Sequence, residues 1–67
     1  MDVRSRLAKN MRKHRSALGL SQEAFAEVVG LHRTYISDIE RATRNPTITV
    51  VDQIAVALKI SPGELLD

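Results

Sequence analysis

The apolar residues along this chain recur every three or four positions, which is the period of an amphipathic helix and not the alternation of a strand. In the first such stretch Leu7, Met11 and Leu18 share one face. This pattern predicts a first helix that runs roughly from Val3 to Leu18 and stops at Gly19, a residue that often follows the last turn of a helix.

The middle of the chain predicts two short helices. Ser21 caps the first of them, which ends at the glycine turn, and its apolar face consists of Phe25, Ala26 and Val29. The helix after the turn is predicted from about His32 to Arg41. A loop over Ala42–Pro46 then follows, because the residue before a proline is biased away from the α conformation.

The last third of the chain predicts two more helices. Thr47 or Thr49 caps the fourth, whose apolar residues face one way: Ile48, Val51, Ile54, Ala55 and Leu58. Ser61 caps a short fifth helix over Pro62–Leu66, in which proline takes the first helical position. The prediction is therefore an all-α fold, a five-helix bundle with short connections, in one domain over residues 1–67.

The spacing of residues 21–41 indicates a helix-turn-helix. Two helices that cross steeply need a small residue at the crossing, a residue that tolerates positive φ in the turn, and branched apolar residues on the second helix. Counted from Gln22, these are the fifth, ninth, fifteenth and eighteenth positions: Ala26, Gly30, Ile36 and Ile39. With its apolar face against the body, the second helix has its other face free to enter a DNA major groove.

Composition narrows the function. An apolar fraction of 43% and a charged fraction of 27% are typical of an ordinary globular domain. There is no cysteine, no run of membrane-spanning length and no signal-peptide pattern, so we expect a cytoplasmic protein with no disulfide, metal site or membrane partner. The net charge of +2 is uneven, since residues 1–46 hold nine Lys/Arg and five Asp/Glu, whereas residues 47–67 hold one Lys and three acids. The excess of positive charge in residues 1–46 favours binding to a polyanion. The charges of the first helix are equally consistent with a face that is simply exposed to solvent.

The outward side of the third helix carries the candidate base-reading residues. Arg33 lies at the helix start and is the residue type that most often reads guanine, and the methyl and hydroxyl of Thr34 suit a thymine or a polar base edge. Ser37 and Asp38 flank them. Asp38 either accepts a hydrogen bond from cytosine or is a bystander that repels phosphate.

A second set is predicted to contact the DNA backbone, where contacts fix register and supply affinity. It includes the start of the second helix, whose free N–H groups favour an anion, and the exit of the third. The set is Gln22, His32, Tyr35, Arg41, Thr43, Arg44 and Asn45. For Tyr35 packing on the core edge is an equal alternative, and Arg44 is otherwise a solvated loop charge. Arg15 and Glu40 flank the core faces of their helices and are expected to form an internal ion pair.

Four segments together resemble a known family: Gly19–Glu23, Gly30–Ser37, Ile39–Arg41 and Arg44–Thr47. They are similar to the Cro/repressor-type (XRE-like) helix-turn-helix family, and in particular to short stand-alone regulators such as the controller proteins of restriction–modification systems. The resemblance covers about residues 5–66. It implies a five-helix domain of the lambda-repressor-like type, transcriptional regulation, and homodimers on pseudo-palindromic operators.

Three positions depart from the pattern of that family. His14 stands where an aliphatic residue is usual, and Ala42 stands where relatives often have glycine, so a different exit turn after the third helix is expected. Asp38 stands where glycine or a neutral polar residue is common, which leaves the base preference open.

A homodimer is expected because one such module makes few base contacts. The candidate interface lies within residues 48–67 and consists of Val56, Ile60, Leu65 and Leu66, although Leu65 or Leu66 is as well suited to covering the core. An enzyme is disfavoured because His14 and His32 lack convergent partners. No cofactor or small-molecule ligand is expected. A protein-interaction module or an antitoxin that borrows this fold remains the alternative.

Overall fold

The computed structural model describes residues 2–67 and consists, over that range, of five helices and no strand. The helices are α1 (Val3–Ala17), α2 (Gln22–Val29), α3 (Arg33–Glu40), α4 (Ile48–Leu58) and α5 (Pro62–Leu66). The predicted all-α fold is confirmed. Helix α3 packs against α1 and α2, and α5 packs against α1 and α4.

Each helix begins at a side chain that accepts a hydrogen bond from its first turn. Ser21 accepts from the N–H of Ala24, and Thr47 accepts from the N–H of Val50. The cap of α4 is thus Thr47 and not Thr49. Such caps satisfy backbone donors that have no partner inside a helix, and this is why short polar residues marked the helix starts in the sequence.

The core is aliphatic with a single phenylalanine. Its largest fully buried side chains come from all five helices: Phe25, Met11, Ile36, Ile39, Ile54 and Leu65. Both isoleucines predicted to hold α3 against the body are buried, with 0% exposure for Ile36 and 1% for Ile39. The core face of α3 therefore fixes which of its side chains point outward.

Two residues expected to be in the core lie at the surface. Leu18 is 54% exposed because α1 ends at Ala17, and Leu20 packs against the core instead. Ile48 is 81% exposed. It is the first residue of α4 and precedes Val51, where that helix first meets the core.

Leu65, for which the sequence left a dimer contact and a cover over the core as equal alternatives, is a core residue with 0% exposure, so it is not available as a dimer contact. Side chains of α1 hold α5 in place: Asn10 Nδ2 donates to the Leu65 carbonyl at 3.0 Å, and Arg6 Nε donates to the Leu66 carbonyl at 2.9 Å. These donors satisfy carbonyls at the end of α5 and hold that helix against α1. Leu66 is partly buried against the core.

Two turns of left-handed backbone bound α3. Gly30 has φ of 86° and lets α2 end at once, with its N–H donating to the carbonyl of Ala26 at 2.8 Å. Ala42 has φ of 59° directly after α3. The exit turn therefore takes the conformation that glycine adopts easily, although the residue is alanine, and the alanine is strained there.

Candidate nucleic-acid interface

The outward side of α3 presents four predicted base-reading residues in two different states. Arg33 and Thr34 are exposed, whereas Ser37 and Asp38 are half-buried. Within residues 2–67 the Arg33 side chain has no hydrogen bond or ion pair. Its guanidinium therefore stands at the start of α3 with all its donors available to a ligand.

Asp38 is bound by two arginines that follow it in the chain. Its Oδ1 lies 2.7 Å from Arg41 Nη2, and its Oδ2 lies 3.1 Å from Arg44 Nη2. The Asp38 side chain is 19% exposed, against 66% for Arg41 and 43% for Arg44, so the arginines cover the carboxylate. The hydrogen bond from Arg41, and then that from Arg44, lowers the pKa of Asp38 below its usual value. The sequence did not reveal this pairing.

The loop after α3 is held close to Asp38 by its backbone. The Asp38 carbonyl accepts from both the N–H and the Oγ1 of Thr43, each at 3.0 Å. Next along the chain, the Arg44 guanidinium lies 4.4 Å from the centre of the Tyr35 ring, in cation–π contact. We call Asp38, Arg41, Arg44 and Tyr35 the Asp38 cluster. It places two predicted backbone-contacting arginines beside a predicted base reader.

On the other side of α3, Glu40 is the one buried charged residue of residues 2–67, with 3% exposure. Arg15 binds it through two nitrogens, Nε to Oε2 at 2.7 Å and Nη2 to Oε1 at 3.0 Å. The Arg15–Glu40 ion pair expected from the sequence is thus present. The hydrogen bond from Arg15 to the carboxylate raises the pKa of this arginine above its usual value.

Further donors complete what we call the Glu40 cluster, which consists of Glu40, Arg15, Gln22 and Arg12. Gln22 Nε2 donates to Glu40 Oε1 at 3.0 Å, and Arg12 Nη1 donates to the Glu40 carbonyl. Arg15 Nη1 also donates to the carbonyl of Leu20 at 2.7 Å. The cluster joins α1, the start of α2 and the end of α3, so it fixes both helices of the motif on α1.

Gln22 has a structural contact in addition to the DNA contact predicted for it. Its Nε2 donates one hydrogen bond to Glu40 Oε1, and its contact with the DNA backbone stays a prediction. His32 is the cap of α3, with Nδ1 accepting from the N–H of Thr34 at 3.1 Å. Asn45 is exposed on the loop.

Two contacts between helices were not predicted from the sequence. The charges of α1, Arg12 among them, were left equally consistent with binding a polyanion and with a solvated face, and Arg12 instead donates to the Glu40 carbonyl. Gln53 Nε2 donates to the carbonyl of Val29 at 2.8 Å, which fixes α4 to the end of α2. Both side chains bond to backbone carbonyls on other helices. No sequence spacing marks such contacts, because their acceptors are present in every residue.

Among residues 2–67, the His, Asp and Glu side chains form no group of three that could hold a metal ion. No helix in the described part of the chain combines the length and the apolar composition needed to cross a bilayer.

Comparison with known sequences finds the same motif. Residues 9–65 match the helix-turn-helix family. The chain is 47% identical over 66 residues to the control protein C.SmaI of Serratia marcescens, an alignment that covers 98% of this chain and 79% of that protein.

Two solved structures share the arrangement of helices. The hypothetical transcription factor NHTF from Neisseria has a TM-score of 0.95 at 41% identity, covering 98% of this chain and 76% of the other. The restriction-modification controller protein C.Esp1396I, solved as a tetramer in complex with its natural 35-base-pair operator, has a TM-score of 0.84 at 33% identity. That similarity covers 100% of this chain and 99% of the other.

Proposed function

We infer that this chain, which belongs to the helix-turn-helix family of transcription regulators, binds duplex DNA by laying α3 in the major groove. The relatives are regulators and not enzymes, and we assign no catalytic step to this chain. A regulator of this class acts where the DNA is, so we place it in the cytoplasm.

One observation carries the proposal: α3 is fixed on its inner side and open on its outer side. Ile36 and Glu40 are buried on the inner side, whereas Arg33 and Thr34 are exposed on the outer side. A helix fixed in this way already presents its outer side chains in the arrangement that a groove requires. Binding therefore loses less conformational entropy than it would with a mobile helix.

The outer residues divide into two roles. Arg33 and Thr34 are proposed to read base edges, with Ser37 beside them, because they lie at the end of α3 that reaches furthest into the groove in this motif. The remaining contacts are proposed for the DNA backbone, where they fix position without reading sequence. They come from the first turn of α2, from His32 and Tyr35, and from the exit residues Arg41, Thr43, Arg44 and Asn45.

The size of the molecule favours two copies on one operator. Its longest dimension is 27 Å, whereas successive turns of the major groove on one face of DNA lie about 34 Å apart. One copy can therefore read one half-site, and a two-fold dimer would read a pseudo-palindrome. We propose that the second copy contacts α4 and α5, within residues 48–67, where Val56 is 68% exposed and Ile60 and Leu66 are partly buried.

Salt-dependent binding tests the DNA-binding proposal. Affinity for random duplex should fall steeply between 50 and 200 mM salt, since neutralising several phosphates releases counterions; about three contacts would give a slope near −3. Selection of bound sites from random DNA should then return a sequence with two related halves. Binding that is independent of salt would refute the proposal.

The role of Arg33 can be separated from the general effect of charge. Arg33→Ala should weaken binding to the selected site by about 1–3 kcal/mol and relax the preference at one base pair. Lys13→Ala is the matched control, because it removes one exposed positive charge on α1, outside the proposed DNA contacts and the proposed dimer interface. If Arg33→Ala weakens all sequences equally, Arg33 contacts phosphate and does not read a base.

The dimer is tested by sedimentation. Val56→Glu should shift the protein from dimer towards monomer at micromolar concentration, because it places a charge where a second copy is proposed to pack. Leu18→Glu alters a residue of similar exposure, 54%, outside the proposed interface and should leave the mass unchanged. A wild-type chain that sediments as a monomer with and without DNA would contradict the dimer.

A further inference from the structure

Two of the cations proposed to contact DNA are already occupied by an anion of the protein itself. The Asp38 carboxylate offers one oxygen to Arg41 at 2.7 Å and the other to Arg44 at 3.1 Å. These are the distances at which a guanidinium binds a phosphate oxygen. Tyr35 covers Arg44 from another side, with the ring centre 4.4 Å from the guanidinium carbon.

The carboxylate changes what these arginines can do. Two arginines and one aspartate carry a net charge of +1 instead of +2, and a carboxylate near the DNA backbone repels phosphate. A phosphate that takes the same Nη2 hydrogens must first displace Asp38. Phosphate neutralisation supplies essentially all of the free energy of non-specific binding. The pairing of Asp38 with the two arginines therefore weakens non-specific binding in particular.

We propose that Asp38 is a specificity-determining residue that acts through Arg41 and Arg44, by holding in the free protein the place that a DNA phosphate would take. The proposal rests on the proposed function, in which α3 binds duplex DNA. In this role Asp38 reads no base. It lowers the affinity for DNA that offers only phosphate contacts. The ratio of operator affinity to random affinity rises as a result, because the operator also binds Arg33.

The hydrogen-bond pattern explains why the operator complex is affected less. Each arginine uses only Nη2 on Asp38, so its other nitrogens still carry donors. In a complex whose register is fixed by base contacts, those donors can bind a phosphate while the pairs to Asp38 persist. A loosely placed complex on random DNA depends on net charge and lacks that alignment.

Asp38→Asn tests the proposal, because it removes the charge and keeps the shape of the side chain. We expect its affinity for random duplex to rise roughly three- to tenfold at 50 mM salt, as expected for freeing two surface ion pairs. The salt slope should steepen by about 0.9 for each bound copy, the equivalent of one more phosphate contact per copy. The ratio of operator to random affinity should fall.

Glu27→Gln is the matched control, since it makes the same change in net charge at an exposed position on α2 that forms no ion pair in residues 2–67 and lies outside the proposed DNA contacts and the proposed dimer interface. A third variant tests whether Asp38 acts through the arginines. With Arg41 and Arg44 both changed to Gln, adding Asp38→Asn should raise random binding less than it does in the wild type, because only the direct repulsion of phosphate by the carboxylate is then removed; an equal rise in the two backgrounds would overturn the proposal. Thermal melting of each variant verifies that it is folded.

The outcomes separate the two proposals. If Asp38→Asn matches Glu27→Gln, or binds random duplex more weakly than the wild type, Asp38 does not restrain the arginines and the proposal is overturned while the proposed function stands. If the wild type shows no salt-dependent binding to duplex DNA, the proposed function itself is wrong.

Discussion

Helix α3 carries two carboxylates two residues apart, and each is bound by arginine in a different setting. Glu40 is 3% exposed and its partner Arg15 is 16% exposed, whereas Asp38 is 19% exposed beneath arginines that are 66% and 43% exposed. The partners of Glu40 come from α1 and from the start of α2. Those of Asp38 lie three and six residues further along the chain.

The comparison shows that burial decides what an arginine–carboxylate pair does: the buried pair holds helices together, whereas the exposed pair sets the charge of the surface. Losing a partner in the Glu40 cluster would leave a charge in the interior without compensation, so that cluster holds the motif together. Solvent screens the Asp38 cluster, and its pairs add little to stability. Breaking these exposed ion pairs costs little free energy. The Asp38 cluster can therefore control the positive charge on the outer face of α3.

The largest expected effect comes from breaking the buried cluster. Glu40→Ala should lower the free energy of unfolding by about 3–5 kcal/mol, because it strands the Arg15 guanidinium. Urea denaturation followed by circular dichroism measures the loss. The control is Asp52→Ala, which removes an exposed carboxylate and should change stability by less than about 0.5 kcal/mol. Equal effects from the two variants would show that burial does not distinguish them.

Replacing both members of the buried pair sharpens that result. The double variant Arg15→Met with Glu40→Met should recover most of the loss and come within about 1 kcal/mol of the wild type, because no charge is then left unpaired. Its stability is read from the same denaturation experiment. A double variant as unstable as Glu40→Ala would mean that the pair itself, and not the stranded charge, provides the stability.

A smaller effect is expected at the turn that brings Arg44 back to Asp38. Ala42→Gly should raise the free energy of unfolding by about 0.5–1 kcal/mol, because glycine relieves the strain of the left-handed conformation. The gain is smaller than the full strain energy, since glycine also increases the conformational entropy of the unfolded chain. Ala17→Gly is the control, because Ala17 ends α1 in right-handed conformation and glycine should destabilise it. Destabilisation at both positions would argue against the strained turn.

The smallest effect is electrostatic and concerns Asp38 alone. Because its pKa is lowered in the folded chain, its stabilising contribution is present above pH 3.8 and is lost as pH falls through the lower folded value. The carboxyl carbon shift in NMR should therefore titrate below pH 3.8. In the variant with Arg41 and Arg44 changed to Gln, the midpoint should return towards that value. A midpoint that does not respond would mean that the arginines do not hold the carboxylate in solution.

Much of the fold was predictable from local signals. The caps Ser21 and Ser61 and the stop at Gly30 mark helix ends, because their side chains or backbone satisfy groups within a few residues. The predictions were wrong for Leu18 and Ile48, which were expected in the core and are exposed. At these helix ends the apolar periodicity of the sequence continues beyond the last residue that contacts the core. Leu65 was left between two roles because its burial depends on α5 packing against α1, which is far away in the sequence.

By itself, the sequence determined five helices, the helix-turn-helix spacing and the side of α3 that faces outward, since these follow from short-range hydrogen bonds and from the burial of periodic apolar residues. Only the tertiary structure decided how the two carboxylates of α3 are used. Gln22 and Arg12 reach Glu40 because α1 and α2 meet at the end of α3, and Asp38 gains Arg44 because the loop turns back at Ala42. A charged side chain can bond to any partner within reach, and the fold alone sets which partners are within reach.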